Sequence, residues 1–216
     1  KIHHIYSYHH TTSDLSSIIM RLKEANIETI SITPYFNDWV LFWRQCKDLD
    51  YKPKFIIGYG SVGLPDCLKV LGADMIDKVT ICIRPGGPMY DSQFCVSTKT
   101  LSSEAKSILF EALNRYCKKY NVPKDQVPPM VFWTFNSAWI LFHEVFPKCK
   151  EITAEEIRRV ALDLDLPMGS TPLGWGVKFA PPGYPRAGLN LRARNNIYQW
   201  QNGKLLSVWP KEYKVT

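Results

Sequence analysis

The first ninety residues alternate short β-branched or apolar segments with amphipathic segments, and few folds accommodate that order. Residues 29–33 are mostly β-branched, and Phe55–Gly58 and residues 79–83 are short apolar runs, so all three are predicted strands. Residues 2–6 are predicted to form a further short strand. Strands that alternate with helices over short connections indicate a parallel sheet with helices packed on its faces, which is an α/β fold.

Two helices are predicted between these strands. The first is capped by Ser13 or Asp14 and the second by Asn37 or Asp38. Each carries one apolar face at helical spacing, formed by Leu15, Ile18, Ile19, Leu22 and Ala25 in the first helix and by Trp39, Phe42, Trp43, Cys46 and Leu49 in the second. An apolar face of this width is what a helix uses to cover a sheet.

The pattern changes at residues 84–88, which read Arg-Pro-Gly-Gly-Pro and indicate a crossover or linker. Three helices are predicted beyond it, at about residues 102–120, about residues 129–146 and from Thr153, where Thr153 and Glu156 form a capping box. The predicted apolar stripe of the first of these helices is Ala105, Ile108, Ala112, Tyr116 and Tyr120. Amphipathic helices with large aromatics need a surface to cover, and the sequence around them supplies almost no strands.

The last fifty residues are rich in turns and close with a hairpin signal. Residues 197–201 and 205–209 flank Asn202-Gly203, the preferred dipeptide of a type I′ turn. We therefore expect a two-stranded antiparallel ribbon at this end of the chain.

Charge and hydropathy argue against two classes of partner. The net charge of +7 comes from scattered residues, the densest groups being Arg115/Lys118/Lys119 and Arg186/Arg192/Arg194, which indicates a basic surface and no nucleic-acid partner. The longest apolar stretch, residues 130–142, is interrupted by polar residues and falls short of the roughly 20 residues that span a bilayer. It is interpreted as a buried helix. The opening residues lack the apolar region of a signal peptide.

No residue pattern supports catalysis or a cofactor. His3, His4, His9 and His10 could bind a transition metal, but Asp14 is the nearest acid and a polar strand edge and loop is favoured. Gly58–Gly63 spells G-x-G-x-x-G without the acid that dinucleotide binding needs, so a loop at the end of a strand is favoured. No cofactor and no metal are predicted. His143 is interpreted as an ordinary helix residue, and none of the six cysteines has zinc-finger spacing.

Aromatic residues at the strand ends are the strongest candidates for a binding role. Tyr35 and Phe36 follow the strand at 29–33, and Tyr59 follows Phe55–Gly58. Because adjacent parallel strands end at the same edge of a sheet, we expect these rings to lie side by side, as in a small-molecule cleft. The alternative is that they are loop aromatics that pack on helix ends.

Several segments together resemble the branched-chain amino-acid binding proteins of ABC transporters. Residues 12–19 (TSDLSSII) and 22–26 (LKEAN) resemble the opening of the second lobe, and Arg44-Gln45 with residues 51–54 (YKPK) resembles the next helix and strand. The end of the chain is similar to that family over residues 174–179 (GWGVKF), 199–204 (QWQNGK) and 208–210 (VWP). The resemblance spans nearly the whole chain in the same order.

This resemblance implies the type I periplasmic-binding-protein fold, in which two Rossmann-like lobes joined by three crossovers close on a ligand. It implies that residues 1–84 are second lobe, residues 85–192 are the helical and loop part of the first lobe, and residues 193–216 are a hairpin that returns to the second lobe. The sheet of the first lobe, the start of the second and a removed signal peptide would then belong to an N-terminal half that this sequence lacks.

The resemblance also implies site residues. Tyr35 lies where an aromatic ligand contact is expected, and an acid that binds an amino-acid ammonium would fall near Gly60. The stretch here is Tyr59-Gly60-Ser61, without a carboxylate, which favours aromatic, amide or carboxylate ligands. Phe132 and Trp133 match a region that supplies an apolar contact from the first lobe.

The function implied is that of the extracytoplasmic solute-binding component of an ABC importer and not of an enzyme. Its partners would be a small-molecule ligand and a membrane permease, and its place the periplasm or the extracellular space, free or tethered as a lipoprotein. Two alternatives stay open. One is a ligand-sensing effector or receptor domain of the same fold, and the other is a metal- or nucleotide-dependent enzyme that uses the histidines or the Gly58–Gly63 loop.

Overall fold

The computed structural model describes residues 4–83, 101–211 and 214, and the chain divides into two compact units. The first unit comprises Lys1–Ile83 and Ile197–Leu206, and the second comprises Arg84–Asn196 and Ser207–Thr216. The division after Ile83 falls one residue from the lobe boundary expected from the sequence. The predicted crossover at residues 84–88 lies outside the described residues.

The first unit contains a mixed sheet with helices. Its elements are α1 (Ser16–Glu24), β1 (Thr29–Ile32), α2 (Phe36–Asp48), β2 (Phe55–Gly58), α3 (Pro65–Leu71), α4 (Ala73–Ile76) and β3 (Thr80–Ile83), and the hairpin strands are β4 (Asn196–Gln201) and β5 (Lys204–Trp209). The sheet order is β1-β2-β3-β4-β5, and β1, β2 and β3 are parallel. The strands predicted at residues 29–33, Phe55–Gly58 and 79–83, the two predicted amphipathic helices and the hairpin are therefore confirmed.

The core of the first unit is aliphatic on the sheet and aromatic on α2. Ile30, Ile56 and Ile81 are buried on successive parallel strands. On α2, Trp39 stacks on Phe42 and meets Trp43 edge-on, with ring centroids 5.9 and 5.6 Å apart. Each such side chain stabilises the fold by about 1.5–3 kcal/mol on full burial.

A β-bulge joins β3 to the hairpin. The Lys78 amide donates to the Trp200 carbonyl at 2.8 Å, and the Trp200 amide donates to the Val79 carbonyl at 3.0 Å. Lys78 and Val79 therefore both lie opposite Trp200. Lys78 has the left-handed φ of 65° that a bulge of this type requires at its first position. The pattern makes β4 antiparallel to β3. Asn202 and Gly203 both have positive φ, as the predicted type I′ turn demands.

The second unit is mainly helical in its described part. Its helices are α5 (Ser103–Tyr120), α6 (Pro129–Trp139), which continues as a π-helical turn over Ile140–Val145, and α7 (Ala154–Asp163). The Ser102 and Thr153 hydroxyls accept from the amides three residues on, at 3.1 and 3.4 Å, so both helices begin with a side-chain cap. Only this half of the predicted capping box forms at Thr153, because the Glu156 carboxylate accepts from the Lys150 amide at 3.1 Å. Val145, Val160, Leu164 and Val177 form a buried cluster.

Several local predictions in the first unit are wrong. Residues 4–6 form no strand, and residues 1–3 lie outside the described part. The N-cap of α2 is Tyr35, and the helix therefore begins before the predicted caps Asn37 and Asp38. The Asp38 carboxylate accepts from the Tyr35 amide at 3.2 Å and stabilises this earlier start. The N-cap of α1 is Leu15. The Asp14 carboxylate accepts from the amide of Ser16, the first residue of the helix, at 2.8 Å.

Pro65 opens α3 at its first position. The amide hydrogen that a proline lacks would have no partner inside the helix there, so the proline is compatible with the start of a helix. Cys46 is buried as predicted, whereas Cys82 is only half-buried.

Two apolar predictions in the second unit are also wrong. The buried residues of α5 are Ala105, Leu109 and Leu113, and the predicted stripe shares only Ala105 with them. The helix at 129–146 is only partly buried, because Met130 and Phe142 are 53% and 63% exposed. Both errors have one cause: spacing alone does not tell which side of an apolar helix meets its neighbours.

Candidate functional site

The carboxyl ends of β1 and β2 bring the predicted aromatic residues to one edge of the first unit. Ile32 pairs with Gly58 in the register, and the Tyr59 amide donates to the Ile32 carbonyl at 3.1 Å. The chain therefore leaves the two strands side by side. Tyr35 and Tyr59 follow as exposed rings, 69% and 49% accessible, and this edge is called the aromatic rim below.

Tyr35 is held in place by a buried carboxylate. Asp38 is 4% exposed, and its Oδ2 accepts from the Tyr35 amide at 3.2 Å and from the Tyr8 hydroxyl at 3.4 Å. Burial first, and then the Asp38 carboxylate, raise the pKa of Tyr8, so the phenol stays protonated and continues to donate. The first turn of α2 is thus tied to the segment that precedes α1. Phe36, the first residue of α2, is half-buried and offers less surface to a ligand.

Two imidazoles extend the aromatic rim. The His10 ring lies 6.3 Å from the Tyr35 ring, and the His9 ring lies 4.4 Å from that of His10. His9 Nδ1 lies 2.7 Å from the Thr11 hydroxyl, which fixes its orientation. Sequence reasoning missed these contacts, and with them the role of Asp38. Their only sequence signal is the clustering of histidines, which does not say which strand end they reach.

The glycines after β2 are explained by packing and backbone conformation. A Cβ on Gly58 would lie 2.6 Å from Val62 Cγ2, and one on Gly63 would lie 2.8 Å from Ile81 Cδ1. Gly60 has space around it but a φ of 75°, a conformation that other residues rarely adopt. The G-x-G-x-x-G spacing therefore arises from a tight 3₁₀ turn that starts at Gly60.

Ser61 lies within this turn and is half-buried. Its carbonyl accepts from the Leu64 amide at 3.1 Å and from the Cys67 thiol at 3.2 Å. No acidic residue occurs between Tyr59 and Leu64, and Asp66 beyond them pairs with Lys69 at 3.3 Å. The aromatic rim offers rings, hydroxyls and imidazoles, and the turn adds no carboxylate for an ammonium group.

Outside the aromatic rim, the residue types most able to perform chemistry include the buried thiols and His143. Burial raises the pKa of Cys46 and of Cys67 to about 12, so both thiols stay protonated and unreactive at neutral pH. Within residues 4–83, 101–211 and 214, no three His, Cys, Asp or Glu side chains are grouped closely enough to bind a metal ion. His143 is exposed on the π-helical turn, with its ring stacked 5.4 Å from that of Trp139.

Phe132 and Trp133, the two remaining predicted site residues, lie on α6 in the second unit. Phe132 is 3% exposed and Trp133 is half-buried. On the same helix, the buried amide oxygen of Asn136 accepts from the Leu173 amide at 3.1 Å. Phe132 is therefore almost fully buried, and Trp133 offers the larger accessible surface of the two. Across the described helices, none combines the length and the hydropathy that crossing a membrane requires.

Comparison with curated proteins gives a consistent set of relatives. Over 210 residues the chain is 30% identical to Leu/Ile/Val-binding protein homolog 7 of Brucella abortus (strain 2308), an alignment that covers 94% of this chain and 46% of the relative. The chain spans about half the length of the curated relatives it matches. No protein-family model matches it. The resemblance to branched-chain amino-acid binding proteins inferred from the sequence is confirmed.

Comparison with solved structures gives the fold. The substrate-binding protein LivJ of Streptococcus pneumoniae, solved with isoleucine, matches with a TM-score of 0.62 at 15% identity, over 93% of this chain and 50% of that one. A fatty acid ABC transporter substrate-binding protein from Thermomonospora curvata matches with a TM-score of 0.64 at 18% identity, over 92% and 46%. The chain therefore has the type I periplasmic-binding-protein fold over about half the length of these structures, as predicted.

Proposed function

We propose that this chain is the C-terminal portion of an extracytoplasmic solute-binding protein that delivers a small molecule to an ABC importer. The observation that carries the proposal is the aromatic rim, because two exposed tyrosines follow neighbouring parallel strands in a chain similar over 94% of its length to a Leu/Ile/Val-binding protein. Ligands of open α/β sheets bind at the carboxyl ends of strands.

The proposed ligand is amino-acid-like or an aromatic or aliphatic carboxylate. Tyr35 and Tyr59 supply apolar faces with polar tips, which suit a ligand with a ring or a branched side chain. The turn at Gly60 and Ser61 has no acid to pair with an ammonium group. Relatives of this fold are named for ligands as different as isoleucine and fatty acids, so a change of ligand within the fold is reasonable.

Ligand capture in this proposal involves closure of two lobes, with Phe132 and Trp133 as contacts from the first lobe. Since Phe132 is buried within its unit, closure would have to expose it, and Trp133 is the more accessible of the two. The protein partner is the membrane permease of the importer. The location is the periplasm or the extracellular space, and the chain makes or breaks no bond in the ligand that it binds.

The direct test is thermal and calorimetric titration of the whole protein to which this C-terminal portion belongs, with leucine, isoleucine, valine, phenylalanine, benzoate and phenylacetate. A ligand at 100 times its Kd should raise the free energy of unfolding by about 2.7 kcal/mol. Tyr35→Ala and Tyr59→Ala should each weaken the binding of that ligand at least fivefold. Tyr184→Ala removes a tyrosine of similar exposure, 49%, from the second unit and is the matched control.

Absence of a saturable shift with every compound would contradict the proposal, as would binding that the two rim variants leave unchanged. A ligand-sensing domain of the same fold would pass the titration. The two functions differ in their effect on a permease, because transport predicts that the liganded protein stimulates the ATPase of its importer, whereas a sensor predicts no such stimulation.

A further inference from the structure

A loop in the second unit, residues 181–189, is exposed along its whole length and is called the exposed loop below. Its two ends are joined, because the Ala180 amide donates to the Leu189 carbonyl at 2.8 Å and the Gly188 amide donates to the Ala180 carbonyl at 2.9 Å. The residues on either side of these ends continue as an antiparallel bridge. The exposed loop is therefore the tip of a short β-arm with a defined conformation.

The backbone of the exposed loop forms most of its hydrogen bonds internally. Three of its nine residues are prolines, which have no amide hydrogen. Four more amides, those of Tyr184, Ala187, Gly188 and Leu189, donate to carbonyls between residues 180 and 186. Seven of the nine positions therefore need no further acceptor for a backbone amide. A segment that enters a membrane interface has to be satisfied in this way, because an unpaired amide there is costly.

Large apolar side chains lie on the exposed loop and directly after it. Tyr184 is 49% exposed, Leu189 is 46% exposed and Leu191 is 38% exposed. Leu189 and Leu191 are two residues apart on one side of the β-arm, so their side chains leave the same face. A tyrosine combines an apolar ring with a polar tip, which suits a boundary between water and an apolar phase. The surface thus presents one aromatic and two aliphatic side chains together.

The charged side chains around the exposed loop have a single sign. No acidic residue occurs in the sequence between Asp165 and Glu212. Arg192 already pairs with Asp165. Arg186 and Arg194 are exposed, and within the part of the chain that the structure describes neither has an ion-pair partner. Two available guanidinium groups therefore accompany the apolar side chains, and their charge complements an anionic surface.

We propose that the exposed loop binds the surface of a membrane that contains anionic phospholipid. Tyr184, Leu189 and Leu191 enter the headgroup region, and the guanidinium groups of Arg186 and Arg194 pair with lipid phosphates. A deformable lipid surface accommodates an exposed loop whose backbone is already paired, whereas a protein partner would have to present a matching groove. The contact is peripheral and does not depend on the ligand of the aromatic rim.

The test is flotation of the whole protein to which this chain belongs with two kinds of vesicle. One kind contains equal parts of phosphatidylcholine and phosphatidylglycerol, and the other contains phosphatidylcholine alone. Arg186→Gln/Arg194→Gln removes the two unpaired charges, and Tyr184→Ala/Leu189→Ala removes two of the apolar side chains. All four residues are exposed, so these substitutions should leave the melting temperature close to that of the wild type.

Two further variants separate a specific contact from a general attraction of charge. Lys106→Gln/Lys118→Gln is the matched control, because it removes two exposed charges from α5 in the same unit. Arg186→Lys/Arg194→Lys keeps both charges of the exposed loop and should retain most of the binding. Amide hydrogen exchange at residues 183–189, measured with and without the anionic vesicles, reports where the protein touches the lipid.

We expect the wild-type protein to float with the anionic vesicles and not with the neutral ones. Loss of the two arginine charges should weaken binding about tenfold, because each basic residue near an anionic surface contributes to attraction. The double apolar variant should weaken binding by about fivefold or more, whereas the α5 control should change it about twofold or less. Exchange at residues 183–189 should slow on the vesicles, and exchange within α7 should not change.

The proposal is overturned by three results: no flotation with anionic vesicles, equal flotation with neutral ones, or a loss of binding that the α5 control reproduces. A fourth result would assign the exposed loop to a protein and exclude lipid. In that case the loop variants would weaken binding to the importer permease in neutral nanodiscs, while the wild-type protein failed to float with anionic vesicles. Ligand titration stays independent of all four results, because Tyr184→Ala should leave binding at the aromatic rim unchanged.

Discussion

The two units of this chain bury their apolar residues in different ways. In the first unit, helices of matching periodicity accompany a five-stranded sheet, and Trp39 and Ile81 are fully buried. In the second, the described residues before β4 contain three helices and only isolated β-bridges, and Met130 and Phe142 on one apolar helix are more than half exposed. Local sequence patterns therefore predict the buried residues of the first unit better than those of the second. In the second unit, exposed apolar residues such as Met130 and Phe142 could be covered by a packing partner.

The largest expected contrast comes from large-to-small substitutions in the two units. Trp39→Ala removes a fully buried ring in contact with Phe42 and Trp43, and it should lower the free energy of unfolding by about 3–5 kcal/mol. Phe142→Ala removes a ring that is 63% exposed, and it should change stability by roughly 0.5 kcal/mol or less. Urea unfolding followed by far-UV circular dichroism measures both. Equal losses would contradict the comparison.

A smaller effect is expected at the turn after β2. Gly58→Ala forces a Cβ to within 2.6 Å of Val62 Cγ2, so we expect a loss of about 1–3 kcal/mol from overpacking. Val62→Ala combined with Gly58→Ala supplies the control, because removal of the opposing methyl groups relieves the clash. If the double variant is less stable than the sum of the two single variants, the packing explanation of this glycine is wrong.

Helix caps offer a contrast of intermediate size. Thr153→Ala removes the hydroxyl that accepts from the Glu156 amide and should cost about 1 kcal/mol in the second unit. Asp38→Ala in the first unit removes a buried carboxylate that accepts from both the Tyr35 amide and the Tyr8 hydroxyl, and a hydrogen bond to a charged group contributes about 1.5–3 kcal/mol. Differential scanning calorimetry should show the larger loss for Asp38→Ala. Thr153→Ser, which keeps the hydroxyl, should stay close to wild type.

The smallest predicted effect is a dependence on acid pH in the second unit. A hydrogen bond from Arg159, followed by one from the Lys150 amide, lowers the pKa of Glu156 from 4.5 to about 2. Since the folded-state pKa is depressed, this carboxylate stabilises the fold above pH 4.5, and the contribution disappears as the pH falls towards 2. Glu156→Gln should therefore flatten the stability profile between these values. An unchanged profile would show that the ion pair makes no net contribution.

The sequence predicted the parts of the fold that local rules control. The β-branched residues of β1, the spacing of Trp39, Trp43 and Cys46 on α2, and the Asn202-Gly203 turn each follow from one short segment. What the sequence left open depends on contacts between distant segments. Tyr8 reaches Asp38 across 30 residues, and no periodicity shows that the buried face of α5 includes Leu109 and not Tyr120.

The same distinction applies to the candidate site. Tyr35 and Tyr59 could be placed together because parallel strands that pair must end at one edge. The contact of His10 with Tyr35 could not be predicted, since residues 4–15 form no strand whose register would place His10.

Amide hydrogen exchange with and without the tightest ligand of the titration panel tests the central claim most directly. If the aromatic rim of the first unit is the ligand site, exchange should slow by at least tenfold at the amides of Thr33, Tyr35 and Phe36 and at residues 59–61, which lie beside the two tyrosines. Exchange within α5 should stay unchanged. Saturating ligand that leaves both rim segments as fast as in the free chain would contradict the claim.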